Sequence, residues 1–220
     1  MEKKVETTSG FEKDSSHRIV SKVMNLILWR QELIETAADS GGISLERKIP
    51  VAVVPLDQVP IEIAQRLSAS LAETLSLDAN VEKSEAEAPR QAFNPSRGQY
   101  DASRIISSFE RSEAGFLLLV TDLDLFVAGL NFCFGLAQRR TAIVSLHRLK
   151  PQFYGERSDE SLLVCRAEKE AVHEVCHLIG LRHCRDPLCV MHFSNRIGDT
   201  DIKGKWPCKD CLEKIKSSVT

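Results

Sequence analysis

The sequence predicts an α/β or α+β layer fold. Short, strongly apolar runs at 49–55, 115–121 and 141–146 have the length and continuity of buried strands. Longer amphipathic stretches alternate with them, and the one that opens at Ser158-Asp159-Glu160 runs to about residue 180 as a single long helix. Strands that alternate with helices bury their apolar faces most simply by layering helices on a sheet.

The elements can be justified in order. Residues 1–16 are polar and predict disorder. Residues 17–38 carry Ile19, Val20, Val23, Leu26, Ile27, Leu33 and Ile34, mostly at helical spacing, with Lys22, Arg30, Glu32 and Glu35 opposite. That face is not notably basic, so packing on the core or against a second subunit is a better reading than a membrane surface. Gly41-Gly42 breaks the helix. The division is therefore an N-terminal extension with one amphipathic helix over 1–48 and a domain over 49–220. A strand at 49–55 precedes a helix over about 60–76 and a strand near 77–83. Residues 84–100 read as a loop, 101–112 as a short helix, and 115–121 as an apolar strand. Residues 125–134 predict an edge strand, with Gly129 as a bulge or bend. A further strand covers 141–146. On the long helix, Asp159 and Glu160 offer a cap and an acidic first turn. Val164, Ala167, Ala171, Val175 and Leu178 form its apolar stripe, which leaves His173 and His177 facing a cleft.

Residues 173–184 read H-E-x-x-H-x-x-G-x-x-H-C. His173 and His177 are an i, i+4 pair, so both imidazoles leave one helix face. Gly180 can take a left-handed conformation and end the helix. The reversed chain then brings His183 to the same place. Three histidines leave a fourth zinc position for water, which is the pattern of a catalytic site, and Glu174 beside them is free to act as a base. H-E-x-x-H alone also arises by accident on amphipathic helices; the glycine and third histidine at these offsets make accident a poor explanation.

Cys184, Cys189, Cys208 and Cys211 make two cysteine pairs with 18 residues between them. This spacing suits a closed four-thiolate zinc site, hence a structural one. Disulfides or buried free thiols are the alternatives, but disulfides need an oxidising compartment. The N-terminus, Met1-Glu2-Lys3-Lys4-Val5, has no secretory h-region or cleavage site, so a reducing cytoplasm is expected. Cys133, Cys165 and Cys176 sit in apolar contexts and read as small buried hydrophobes. Met191, two residues after Cys189, could form an apolar floor under the imidazoles.

These motifs together resemble the archaemetzincins, a branch of the metzincin zinc peptidases, whose pattern joins H-E-x-x-H-x-x-G-x-x-H-C, C-x-M and C-x-x-C. Upstream, Phe93-Asn94-Pro95-Ser96-Arg97-Gly98-Gln99-Tyr100, Thr121-Asp122-Leu123-Asp124-Leu125-Phe126-Val127, Asn131-Phe132, Phe134-Gly135, Ser145-Leu146 and Arg148-Leu149 are similar too. The likeness covers about residues 49–216. The spacer between Met191 and Cys208 is one residue shorter than the family pattern. The resemblance implies a mixed, mostly parallel five-stranded sheet with an antiparallel edge strand, a long active-site helix and a zinc-bound C-terminal segment, 184–211. It implies His173, His177 and His183 as ligands of a catalytic Zn2+, Glu174 as general base, and Met191 as the Met-turn residue. Cys184, Cys189, Cys208 and Cys211 become ligands of a second, structural Zn2+.

The expected function is zinc-dependent hydrolysis of a peptide or protein substrate, which could pair with the exposed strand edge around 124–132. Aminopeptidase action would follow if Asp122 or Asp124 met the substrate's amino end; both read more simply as turn or strand-flanking residues. Tyr100 and His192 are oxyanion candidates by residue type alone. Two other classes compete: a zinc-stabilised peptide-binding or interaction module with little turnover, and a metal or thiol sensor. Glu174 argues against the first, since binding zinc does not require it. Cysteines at zinc spacing argue against the second. A net charge of −2 gives no reason to expect nucleic acid or anionic membrane as a partner, and no apolar run reaches transmembrane length. Hydrophobic content of 43% and charged content of 27% suit a globular domain. Self-association through the N-terminal helix is the remaining expectation.

Overall fold

The structure is a computed structural model and describes residues 49–109 and 115–219. The expected N-terminal extension, with the helix expected over 17–38, lies outside the described residues. Five strands form the main sheet: β1 (Pro50–Pro55), β2 (Asp78–Val81), β5 (Phe116–Thr121), β7 (Gly135–Gln138) and β8 (Thr141–Ser145). Their order is β2-β1-β5-β8-β7. All neighbours are parallel except β7, which runs antiparallel to β8. The fold class and the antiparallel edge strand are as the sequence and the resemblance predict.

The central strands are nearly continuous apolar runs because both faces of the sheet are covered. Alternation assigns each residue to a face. Val51, Val53, Leu118, Val120, Ala142 and Val144 pack with α1 (Ile61–Leu75) and α3 (Glu160–Leu178). Val54, Leu117, Leu119 and Ile143 pack with Ile105 and Ile106 of α2 (Ala102–Ser108) on the other face. The N-terminal cap of α3 is Asp159, whose side chain accepts from the Leu162 N–H at 2.9 Å. Its inward stripe holds Ala167, Ala171 and Val175, widened by Val172 and Cys176.

Three expectations need correction. The edge strand does not span 125–134. Leu125–Phe126 (β6) instead joins a small three-stranded sheet with β3 (Phe93–Asn94) and β4 (Gln99–Asp101). The chain then turns, with Gly129 at φ 88°, and enters the main sheet only at Gly135. Arg97 holds this turn by donating to the carbonyls of Leu130 (3.1 Å) and Asn131 (2.7 Å). Residues 84–100, read as a loop, thus supply two short strands of that sheet. Finally, Cys165 is exposed and not a core residue, whereas Cys176 is buried and Cys133 half-buried.

Candidate metal and active site

The C-terminus of α3 is built to turn the chain back. Gly180 adopts φ 105°, its N–H reaches the His177 carbonyl at 3.0 Å, and the Leu181 N–H reaches Cys176 at 3.0 Å. This is the Schellman pattern that glycine favours. It delivers His183 to the two helical histidines, whose ring centroids lie 5.3 Å (His173) and 4.9 Å (His177) from it.

Backbone carbonyls set the tautomers. His173 Nδ1 lies 2.7 Å from the Val190 carbonyl, and His177 Nδ1 lies 2.7 Å from the Leu181 carbonyl. A carbonyl only accepts, so each Nδ1 carries the proton and each Nε2 presents a lone pair. The two Nε2 atoms face one another at 3.1 Å. Burial lowers the pKa of all three imidazoles, well below the usual range for His173, which favours their neutral form. Apposed lone pairs repel unless a cation lies between them. Nitrogens about 2.0–2.1 Å from a tetrahedral zinc would be about 3.3 Å apart, so the donor set fits such an ion. Met191 is fully buried in the core beneath this segment. Its carbonyl accepts from the Cys184 N–H at 2.8 Å. Phe193 packs its ring 4.9 Å from His183.

Glu174 is almost fully buried beside the histidines. Burial, then the nearby Glu170 carboxylate, raise its pKa well above the usual range, against a smaller opposing pull from Lys203. Glu170 itself accepts from the Thr200 hydroxyl (2.9 Å) and pairs with the fully buried Lys203 ammonium (3.0 Å). One turn earlier, Arg166 grips Asp201 with two hydrogen bonds of 2.7 and 2.8 Å. These pairings are not legible in the sequence, because their partners lie 30 or more residues apart.

The four cysteines also converge. Their Sγ atoms lie within 4.8 Å of one another. The Cys184–Cys208 and Cys189–Cys211 separations are both 3.8 Å, far beyond a disulfide bond of about 2.05 Å. Sulfurs about 2.3 Å from one tetrahedral centre are about 3.8 Å apart. Burial opposes ionisation of Cys184, but hydrogen bonds from the Asp186 N–H and the thiols of Cys208, Cys211 and Cys189 outweigh it and lower its pKa. Burial pushes Cys189 up to about 12, and burial with Cys189 alongside raises Cys211. Cys184 thus ionises more readily than a free thiol while Cys189 and Cys211 resist, and a cation at the centre of the cluster would favour their thiolates.

The carboxylates considered for binding an amino terminus are already engaged. Arg148 forms two hydrogen bonds to Asp124, at 2.6 and 2.8 Å, and Lys150 pairs with Asp122. Tyr100 packs against Phe93 in the small sheet, ring centroids 5.0 Å apart and tilted by 50°. His192 turns its Nδ1 to the Cys184 carbonyl at 3.2 Å.

A mixed sheet over a long helix that carries His-Glu-x-x-His, with a third histidine after a glycine turn, defines the class of zinc metallopeptidases. The model of peptidase family M54 matches residues 74–217. The archaemetzincin of Pyrococcus furiosus is 41% identical over 179 residues, which cover 77% of this chain and 93% of that protein. That of Methanocaldococcus jannaschii is 38% identical and covers 76% and 92%. Among solved structures, archaemetzincin from Methanopyrus kandleri superposes with a TM-score of 0.70 at 31% identity, covering 80% of this chain and 98% of that one. A zinc-dependent peptidase from Methanocorpusculum labreanum gives 0.67 at 30%, covering 75% and 99%. The chain belongs to peptidase family M54, the archaemetzincins. It is a zinc metallopeptidase, and no helix among its described residues is long and apolar enough to cross a membrane.

Proposed function

We propose that this peptidase hydrolyses peptide bonds with a zinc ion held by His173, His177 and His183 and Glu174 as general base, and that Cys184, Cys189, Cys208 and Cys211 hold a second, structural zinc. The observation that carries the reading is the apposition of two neutral imidazole Nε2 atoms at 3.1 Å beside a buried carboxylate. A zinc ion held by the three histidines would acidify a water and polarise a peptide carbonyl. Glu174 takes the water's proton on a carboxylate oxygen and later delivers it to the leaving nitrogen. Burial raises its pKa above the usual carboxylate range, which is the direction that strengthens a carboxylate as a base.

The peptide has a place to lie. In the β7–β8 ladder Phe134 and Ser145 are a hydrogen-bonded pair, the Ser145 N–H donating to Phe134 at 2.8 Å. Alternation then turns the N–H and C=O of Gly135 and Ala137 away from β8, toward the free edge of the sheet. An extended substrate adds to that edge. The pairing surface is 135–138, displaced from the expected 124–132. With Asp122 and Asp124 held by cations, the reading supplies no amine anchor from these two residues.

The test is Glu174→Gln. The amide cannot accept the proton, so hydrolysis of a peptide library should fall by at least about 10²-fold, while zinc content, read by elemental analysis, stays that of the wild type. Undiminished turnover would remove Glu174 as the base. Absence of turnover in the wild type as well would favour an interaction module.

A further inference from the structure

We infer that Gly135, on the edge strand, is the positioning residue for Glu174: the space a side chain would fill at 135 is the seat of the catalytic carboxylate. The inference rests on the reading of Glu174 as general base.

A Cβ placed on Gly135 would lie 2.6 Å from Glu174 Cγ, 2.7 Å from Glu174 Oε1 and 2.8 Å from the Ile143 carbonyl oxygen. None of these distances is tolerable for a carbon atom. The glycine is not there for its backbone freedom. Its φ lies outside the left-handed region, so any residue could adopt this strand conformation. The close approach of Glu174, together with the Ile143 carbonyl, is what excludes a side chain.

The contact bears on a buried carboxylate, so packing helps to set its position. Gly135 Cα and the Ile143 carbonyl close one side of its pocket. The Gly135 main-chain polar groups meanwhile point to the open edge, where an extended peptide would pair. A bound strand would lie about 4.8 Å from β7, with the carboxylate seated against the residue it pairs with. The glycine thus sets the base relative to the scissile bond, and a methyl group there displaces it.

The experiment is Gly135→Ala on the full chain. Purified protein should keep its zinc, since no histidine is touched. Turnover at saturating substrate should fall roughly 10²-fold, the loss that an ångström of misplacement causes, with little change in KM. Gly198→Ala is the control, because a Cβ there meets nothing within 4 Å; its activity should be unchanged. Thermal unfolding of Gly135→Ala in the wild-type and Glu174→Ala backgrounds separates the two contacts. The clash with Ile143 is common to both backgrounds, whereas the clash with Glu174 exists only in the first, so the Tm loss should be several degrees smaller in the second.

Wild-type turnover by zinc-loaded Gly135→Ala, or equal Tm losses in the two backgrounds, would overturn the inference. If Gly135→Ala does not fold, folding of the Gly135→Ala, Glu174→Ala double variant still supports the contact, and its failure to fold overturns it. If Glu174→Gln retains turnover, the base reading has failed. If Glu174→Gln is inactive while Gly135→Ala is fully active, the seat alone has failed.

Discussion

Asp124 shows how a carboxylate near a peptidase site can be structural. Burial works to raise its pKa, but the hydrogen bonds and charge of Arg148, with a further hydrogen bond from Gln99, outweigh this and hold it below the usual value. The guanidinium is in turn stacked between the Phe132 and Phe153 rings, 4.5 and 4.8 Å from its carbon. Asp124→Asn should therefore act through stability. Loss of the charged hydrogen bonds should cost about 2 kcal/mol, read by denaturant unfolding near neutral pH. A depressed folded-state pKa contributes stability that is complete above the unfolded value, about 3.9, and is lost as pH falls through the folded value. The variant should consequently match the wild type more closely in acid than at pH 7. Free and N-acetylated peptides should be affected alike. A selective loss on free amino termini would restore Asp124 as an amine anchor.

At the scale of elements, α3 carries two stripes, and the sequence displayed only one of them clearly. The apolar stripe was legible because Ala167, Ala171 and Val175 repeat with the helical period. The polar face carries Arg166, Lys169 and Glu170, which bind Asp201, the carbonyls of Thr200 and Asp201, and Lys203. Nothing local marks these residues as buried, and Lys203 reads as one more charge in a polar run although its side chain is 0% exposed. The edge strand was misplaced for a related reason. Leu125 and Phe126 are apolar enough for a sheet, and only their pairing with Tyr100 and Asp101 shows that the sheet is a different one. The histidines, glutamate and cysteines were legible throughout, because metal-binding spacing is a constraint within a short stretch of chain. The polar stripe makes its own demand. Lys203→Met leaves Glu170 buried with only the Thr200 hydroxyl as partner, and should cost about 3–5 kcal/mol. Adding Glu170→Leu should recover most of that loss, since an apolar pair of similar volume tolerates the site. Thermal unfolding of the two variants measures both; a single variant as stable as wild type would show that water reaches the pair.

At the scale of the whole molecule, the first strand of the main sheet begins at Pro50 and the family match spans residues 74–217. We expect deletion of residues 1–40 to preserve both metal sites and the sheet, with an altered association state if the amphipathic segment 17–38 mediates self-contact; loss of zinc on deletion would place that segment inside the domain. Within the domain the sites are joined by one short stretch. Residues 181–192 provide His183, Cys184, Cys189 and Met191, and their carbonyls orient the other two histidines: Leu181 holds His177 and Val190 holds His173. The same stretch is tied to the C-terminal segment, Val190 N–H to Trp206 at 3.0 Å and Gly204 N–H to Leu188 at 2.9 Å. A cation at the cysteines would lock this arrangement, and structural zinc contributes about 10 kcal/mol or more to small domains that depend on it. Cys189 and Cys211 share the buried cluster on the α1/α3 face of the sheet, but the strands pair with one another and the opposite face packs on Ile105 and Ile106 without any of the four sulfurs. Cys208→Ser with Cys211→Ser should therefore keep the far-UV circular dichroism of the wild type while hydrogen exchange accelerates over 184–219. Zinc should also bind the histidines more weakly, although neither cysteine touches them, because the Val190 and Leu181 carbonyls lose their fixed positions. His173→Ala should do the reverse, emptying the histidine site and sparing the cysteines. Unchanged affinity at the histidines, with 184–219 still protected in the double variant, would show that the two sites are independent.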